Sequence, residues 1–330
     1  MPEKDKDSDI NQSDEHPVAA VPAPEAAAEA GDQGGEDKSD GDEAGETEDG
    51  QEPWVIEIPE AEVDSYELDF QHCSIHKIEN LEPLTRIETL GLRWNQIKKI
   101  ENLQTLLTLQ ELELYDNQIS TIENLDCLVN LRSLDISHNK LRKIEGLENL
   151  TNLTKLFLVS NKIAKIENLE KCSKLEMLEL GDNKIRKIEN LEHLTKLSEL
   201  FIGKNKIARI ENLEALTSLR LLSIQSNRIR EISGLDDLSD LEELYIADNG
   251  LTTVKGLDKR NLQTLEIANN KVADISGLCR ITVTHLMAEL FTGLEHMTNL
   301  EEFWANSNEI SNWKEVEFLQ KLHLSAKQCL

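Results

Sequence analysis

Asparagine recurs every 22 residues along most of this chain, at Asn95, Asn117, Asn139, Asn161, Asn183, Asn205, Asn227 and Asn249. Cys73 stands one period earlier, and Asn270 falls one residue short of a period after the last. A polar residue held in register with apolar ones over ten successive units restricts the chain to an array of near-identical stacked coils. The unit Leu109-x-x-Leu112-x-Leu114-x-x-Asn117-x-Ile119-x-x-Ile122-x-x-Leu125-x-x-Leu128 shows how each coil is built. Leu112 and Leu114 are two apart, so in a strand both face inward and Glu113 faces out. From Ile119 onward the apolar residues recur at every third position, the period of a 3₁₀ turn, and form the opposite wall of the same core. Asparagine carries both donors and an acceptor, so its side chain is expected to satisfy turn backbone from coil to coil; Cys73 fills that slot with weaker bonding. Asn or Gly before the corner leucine, as in Ile-Glu-Asn-Leu (100–103) and Ile-Glu-Gly-Leu (144–147), suits a positive φ.

L-x-x-L-x-L-x-x-N is the motif of the leucine-rich repeat. The expected fold class is therefore an α/β leucine-rich-repeat solenoid of 22-residue units, with parallel strands on the concave face and short 3₁₀ or helical returns on the convex face. Eleven strands at about 4.8 Å make a sheet about 50 Å across, the scale of a protein partner rather than of a metabolite. The expected organisation is an acidic segment over 1–53, a repeat domain of about eleven units over 54–320 with an irregular insertion at 279–294, and an incomplete C-terminal cap over 321–330.

Charge is unevenly spread. Of the chain's net −28, residues 1–50 carry 17 acids against 3 lysines, a net of 3 − 17 = −14, in a context of Ala, Pro, Gly and Ser. Such a segment buries too little apolar surface to offset its chain entropy and is expected to be disordered, a solubilising tail in which Ser39, followed by Asp40 and Asp42, has the context of an acid-directed phosphorylation site. So acidic a chain repels phosphate backbones and anionic lipid, and no concentrated basic patch is evident to overcome that. No run approaches the about 18 apolar residues of a membrane span, and the charged stretch 1–11 lacks the apolar core of a signal peptide, which points to an intracellular protein. The five cysteines are scattered, without a C-x-x-C pair, so reduced thiols and no metal are expected.

The outward residue between the two inward strand positions is, in order, Asp69, Gly91, Glu113, Asp135, Phe157, Glu179, Phe201, Ser223, Tyr245, Glu266 and, after the insertion, Trp304. Five are acidic, four are aromatic and none is basic. Alternation keeps these rings out of the core, and aromatics interleaved with acids across the middle of a sheet suit a folded protein with a basic, partly apolar patch. Lys99, Lys143, Lys165, Lys187 and Arg209 form a second stripe, each followed two residues on by Glu101, Glu145, Glu167, Glu189 or Glu211, and are expected to pair with them on the convex surface. No nucleophile motif, phosphate loop or paired-carboxylate signature accompanies the eight histidines. The column's carboxylates are expected to line an open surface with no pocket to shift their pKa values, so no enzyme and no cofactor are expected.

Several phrases are more specific than the general repeat: the Ile-Glu-Asn-Leu corners, Leu-Tyr-Asp-Asn-Gln-Ile (114–119), Leu-Phe-Leu-Val-Ser-Asn-Lys-Ile (156–163), Met-Leu-Glu-Leu-Gly-Asp-Asn (177–183) and Glu-Glu-Phe-Trp (301–304). Over about residues 64–320 the chain resembles the leucine-rich-repeat regulatory subunits of the type-1 serine/threonine protein phosphatase. That resemblance implies a non-catalytic regulator, nuclear and cytoplasmic, that grips the phosphatase catalytic subunit with its concave face and shares a complex with a small phosphatase inhibitor protein. The family's contact positions fall on Asp135, Phe157, Glu179, Phe201, Glu266, Glu302 and Trp304; Glu266 replaces the family's usual Asp. Tyr245 joins these from the column alone. The alternative is a general repeat scaffold, ciliary, centrosomal or spliceosomal, with another basic-surfaced client.

Two stretches depart from that family. Sixteen extra residues separate Gly277-Leu278 from Gly293-Leu294, and His285 to Leu294 carries Leu286, Leu290, Phe291 and Leu294 at helical spacing, which reads either as a bulged convex helix or as a distortion of the last strand. At the C-terminus Ser325 stands where the next strand needs an apolar residue. Lys314-Glu315-Val316-Glu317-Phe318 matches a short K-x-V-x-F docking motif, with Val316 on a core position of the repeat.

Overall fold

The Leu-x-Leu spacing produces one three-residue strand per coil. In the computed structural model these are β1 (Glu67–Asp69), β2 (Thr89–Gly91), β3 (Glu111–Glu113), β4 (Ser133–Asp135), β5 (Lys155–Phe157) and β6 (Met177–Glu179). They continue as β7 (Glu199–Phe201), β8 (Leu221–Ser223), β9 (Glu243–Tyr245), β10 (Thr264–Glu266), β11 (His285–Met287) and β12 (Glu302–Trp304). The structure describes residues 54–257 and 262–272, and the backbone of β11 and β12. The acidic segment 1–53 with Ser39, the parts of the insertion at 279–284 and 288–294, Lys314 to Phe318 and the C-terminal 321–330 lie outside the described residues.

All twelve strands join one parallel sheet in sequence order. The register is one coil per strand, Leu90 beside Leu112 and Leu112 beside Leu134, so like positions stack into columns. Leu112 and Leu114 are fully buried and Glu113 between them is partly exposed, as the alternation requires. The core is a stack of such layers, closed on the opposite side by Ile119, Ile122, Leu125 and Leu128 and their equivalents. At the N-terminal end Ile56 is fully buried and its carbonyl accepts from Asn80 Nδ2 at 3.1 Å, so residues just before the first repeat cover the first layer.

Two expectations change. The returns are not helical among the described residues, where the one 3₁₀ segment is Glu60–Glu62 ahead of β1. Single i→i+3 turns do occur, with Leu106 N–H donating to Leu103 O and Leu109 N–H to Leu106 O, both at 3.1 Å. They stay isolated because other return carbonyls bond the next coil instead, as Ile97 O does with Gln118 N–H at 2.8 Å. The insertion, for its part, contributes a strand at His285–Met287 and not the start of a helix. Its β11 pairs between β10 and β12, with Leu286 beside Leu265 and Phe303. The sheet thus gains a twelfth strand, and the last two intervals become 286 − 265 = 21 and 303 − 286 = 17 residues.

The asparagine ladder forms as expected. Asn117 Oδ1 accepts from Ile97 N–H of the preceding coil at 3.0 Å, while its Nδ2 donates to Leu92 O and Leu114 O at 2.9 and 3.1 Å. The same set recurs at Asn139, Asn161, Asn183 and Asn205. A second ladder, on the corner asparagines, is new: Asn102 Nδ2 donates to Ile78 O and Asn124 Nδ2 to Ile100 O, each at 2.6 Å. These corners hold φ near +60°, 59° at Asn102 and 60° at Asn124, and glycine takes the same role at Gly146 with φ 68°.

Candidate functional site

The parallel register carries the outward residues into one unbroken row. Asp135 stands beside Phe157, Phe157 beside Glu179, Glu179 beside Phe201, Phe201 beside Ser223, and Ser223 beside Tyr245 and then Glu266. β4 to β7, β9 and β10 thus bring six of the eight sequence-predicted partner-binding residues together on the strand face. Glu302 and Trp304 open and close β12, so their backbone continues the first and last strand positions of the sheet. The backbone of Met287, the last residue of β11, pairs between those of Glu266 and Trp304; the 22-residue count had no strand there to reveal it.

Chain length decides how each acid is held. Asp135 is short enough for its Oδ1 to accept the Ser137 N–H two residues on, at 2.8 Å, and Asp69 does the same with Gln71 N–H at 3.0 Å. Among the described residues the carboxylates of Glu179 and Glu266 make no such bond, and that of Glu113 faces Arg93. Tyr245 donates to Glu243 Oε2 at 2.7 Å, which fixes its ring in the row.

The expectation of unshifted carboxylates does not hold. Burial among neighbouring strand-face side chains raises the pKa of Asp135, of Glu179 and of Glu266, with Asp135 adding to the effect at Glu179 and Asp248 at Glu266. Glu113 is raised as well, by burial first, against the opposing pull of Arg93. The row is therefore acid that is already partly desolvated and lacks enough cations, a face that gains when a cation is brought to it.

Arg93 meets part of that need at one end. Gly91 leaves the row vacant there, and the Arg93 guanidinium from two residues on lies between the neighbouring acids, Nη2 at 3.3 Å from Asp69 Oδ2 and Nε at 3.1 Å from Glu113 Oε2. The acids from Asp135 onward have no such cation among the described residues. Beside Arg93 runs an aromatic edge that periodicity did not reveal: His72 stacks on Trp94 with centroids 4.7 Å apart, Trp94 meets Tyr115 edge-on at 5.5 Å, and Tyr115 meets His138 at 4.7 Å. His72, Trp94 and His138 each hold a positive φ just before the ladder position, which turns them to this edge.

The basic stripe also differs from expectation. Among the described residues Lys165–Glu167, at 3.2 Å, is the one of the five pairs in ion-pair contact. Further cations at Lys140, Lys162, Lys184, Lys206 and Arg228, one residue past Asn139, Asn161, Asn183, Asn205 and Asn227, align in a column, so a basic patch is present after all. Among the described residues no three His, Cys, Asp or Glu side chains lie together as a metal site, and no helix is long and apolar enough to cross a membrane. Cys172 sits in the core, where burial pushes its thiol up to about 11.

Two family profiles match the chain, a leucine-rich repeat over residues 158–260 and a pair of leucine-rich repeats over 107–149. The chain has the leucine-rich-repeat fold. Solved structures carry the same fold. An internalin (inlF) from Listeria monocytogenes is 26% identical, with a TM-score of 0.63 over 82% of this chain and 88% of that one. The functional domain of InlJ from the same organism, which includes a cysteine ladder, is 23% identical with a TM-score of 0.61, covering 76% of this chain and 56% of that one. TLR13 in its complex with ssRNA13 gives 0.65 at 20% identity, with this chain spanning 42% of its length. No curated protein matches the chain. The property shared with these structures is the stacked coil.

Proposed function

We propose that the chain is a non-catalytic regulatory subunit that binds the catalytic subunit of the type-1 serine/threonine protein phosphatase through its strand face. The observation that carries this reading is the in-register row Asp135, Phe157, Glu179, Phe201, Tyr245 and Glu266, in which half-buried rings alternate with carboxylates whose pKa values burial has raised. A basic protein surface would supply the missing cations, and the rings would pack on the stems of its lysines and arginines. Within leucine-rich-repeat proteins the phrases around these residues resemble protein phosphatase 1 regulatory subunit 7, which supports this choice of partner and, with it, a nuclear and cytoplasmic location and a complex shared with a small inhibitor protein. Glu302 and Trp304 hold the first and last positions of β12, the strand that follows β11 in the sheet.

Calorimetric titration of the full chain with the phosphatase catalytic subunit tests the reading. Tight binding is expected, weakened by about 1–3 kcal/mol in Phe201→Ala and unchanged in Lys187→Ala on the return side. A folded chain that does not bind the phosphatase would assign the face to another basic-surfaced client of a general repeat scaffold.

A further inference from the structure

Lys140, Lys162, Lys184, Lys206 and Arg228 occupy the same position in five successive coils, immediately after the ladder asparagine. Their backbones are pinned: each N–H donates across to the preceding coil, Lys140 to Ile119 O, Lys162 to Leu141 O, Lys184 to Ile163 O, Lys206 to Ile185 O and Arg228 to Ile207 O, all at 2.8 Å. Side chains at this position reach from coil to coil, since Lys140 Nζ lies 3.4 Å from Oε1 of Gln118, its equivalent one coil earlier. Among the described residues none of the five cations has a carboxylate within 4.0 Å. The nearest candidate by position, Asp182, is taken up by Ser160 Oγ at 2.9 Å. The pairs Arg142 with Lys143 and Arg186 with Lys187, all exposed, widen the same face on its return side.

Like charges stacked one coil apart, about 4.8 Å, repel one another and destabilise the fold that holds them. A chain of net −28 has acids enough to interleave, yet in this column it places none. We infer that this strand-exit edge is a docking track for an acidic, extended segment of a partner protein, separate from the acidic strand face. Four intervals of about 4.8 Å give a track about 19 Å long, which an extended peptide of about six residues spans at about 3.3 Å each. The width argues for a peptide over nucleic acid. Within the five coils Asp182 precedes the ladder on one side of the column, and Glu145, Glu167, Glu189 and Glu211 follow it on the other. A ribbon one side chain wide fits alongside the line of glutamates, whereas a bulkier polyphosphate would press against it. The track does not depend on the identity of the strand-face partner, and with opposite signs on the two surfaces both partners can be held at once.

The test uses the full chain and a fluorescein-labelled Glu-rich decapeptide, followed by fluorescence anisotropy at 50 and 200 mM salt. Binding should weaken steeply with salt and fall at least about tenfold in the triple variant Lys162→Gln, Lys184→Gln, Lys206→Gln, while Lys98→Gln with Lys99→Gln, outside the five coils, leaves it unchanged. The triple variant should melt no lower than the parent, because it removes repulsion and no ion pair; that result shows that lost binding is not lost folding. Failure of the parent chain to bind the peptide overturns the inference. So does tighter binding of a ten-residue oligothymidylate, which would give the track to nucleic acid. A dimer seen by light scattering at 50 mM salt and abolished in the triple variant would overturn it in favour of the acidic face of a second copy.

Discussion

Nε of Arg93 lies 3.1 Å from Oε2 of Glu113, at an angle too bent for a hydrogen bond, while Nη2 of the same guanidinium donates to Asp69 Oδ2 at 3.3 Å. One cation therefore serves two acids across the gap left by Gly91, where an added Cβ would stand 2.6 Å from Asp69 Oδ1. Arg93→Gln should cost about 1 kcal/mol of stability, the scale of a partly exposed ion-pair network, and should raise the Glu113 pKa further, because the lowering influence of Arg93 disappears. Chemical denaturation and carboxyl titration by NMR read the two effects. Binding at Glu179 and Phe201 should be unaffected, and a large loss there would show that the partner reaches as far as β2.

The ladder makes a sharper demand on stability. Asn161 is buried, and it accepts from Leu141 N–H at 2.9 Å while donating to Ile136 O at 3.0 Å and Leu158 O at 3.2 Å. Asn161→Ala leaves those backbone groups buried and unpaired, at a cost of about 3 kcal/mol. Asn227, which is only part-buried, should cost less on the same change because water can reach the freed groups. Urea melts of the two variants give the ordering, and equal losses would show that the ladder bonds contribute independently of burial.

Glycine positions divide by backbone conformation. Gly234 has φ 66°, and an added Cβ would sit 2.6 Å from Ile210 O of the preceding coil; at Gly181 no positive φ occurs, and the nearest atom would be Gly203 O at 3.8 Å. Gly234→Ala should therefore destabilise by about 1–3 kcal/mol. Gly181→Ala should be neutral or stabilise by about 0.5 kcal/mol through the unfolded chain. Thermal melts separate the two, and a destabilised Gly181→Ala would place an unrecognised constraint on the strand face.

What could be read in advance followed from spacing. The pair Leu112 and Leu114 gave the strand, the strand gave the outward row, and the donor and acceptor of Asn117 gave the ladder. The helical returns were misread because period three in sequence is also the period of isolated turns, and carbonyls such as Ile97 O bond the neighbouring coil. Leu286 was read on helical spacing alone, although it lies 21 residues after Leu265, close to the repeat period. Arg93 was legible in principle, since a residue two beyond Gly91 shares its face. The edge of His72, Trp94 and His138 was not, because their direction depends on φ values of 57°, 52° and 54° that no apolar period encodes.

Glu179 joins the stability of the free chain to the strength of its complex. Burial is the main cause of its raised pKa, with the Asp135 charge second, so its carboxyl binds a proton more tightly folded than unfolded. The sign of the linkage follows: the contribution to stability is fully present below the ordinary value of 4.5 and is lost as pH rises through the higher folded value. Glu179→Gln removes the ionisable group and keeps the shape, so it should melt above the parent at pH 7, with the difference closing towards pH 4. The same change deprives a basic partner of a desolvated charge and should weaken the complex by about 2 kcal/mol. Binding of the parent chain should likewise weaken as pH falls towards that folded value and should release protons, because an incoming cation lowers the pKa again. Calorimetry in two buffers of different ionisation enthalpy measures the protons released, and scanning calorimetry at pH 4 and 7 measures the stability. A Gln variant less stable than the parent at pH 7 would mean that the carboxylate is held by compensating contacts, and the strand face would then be organised for its own fold and not for a cationic partner.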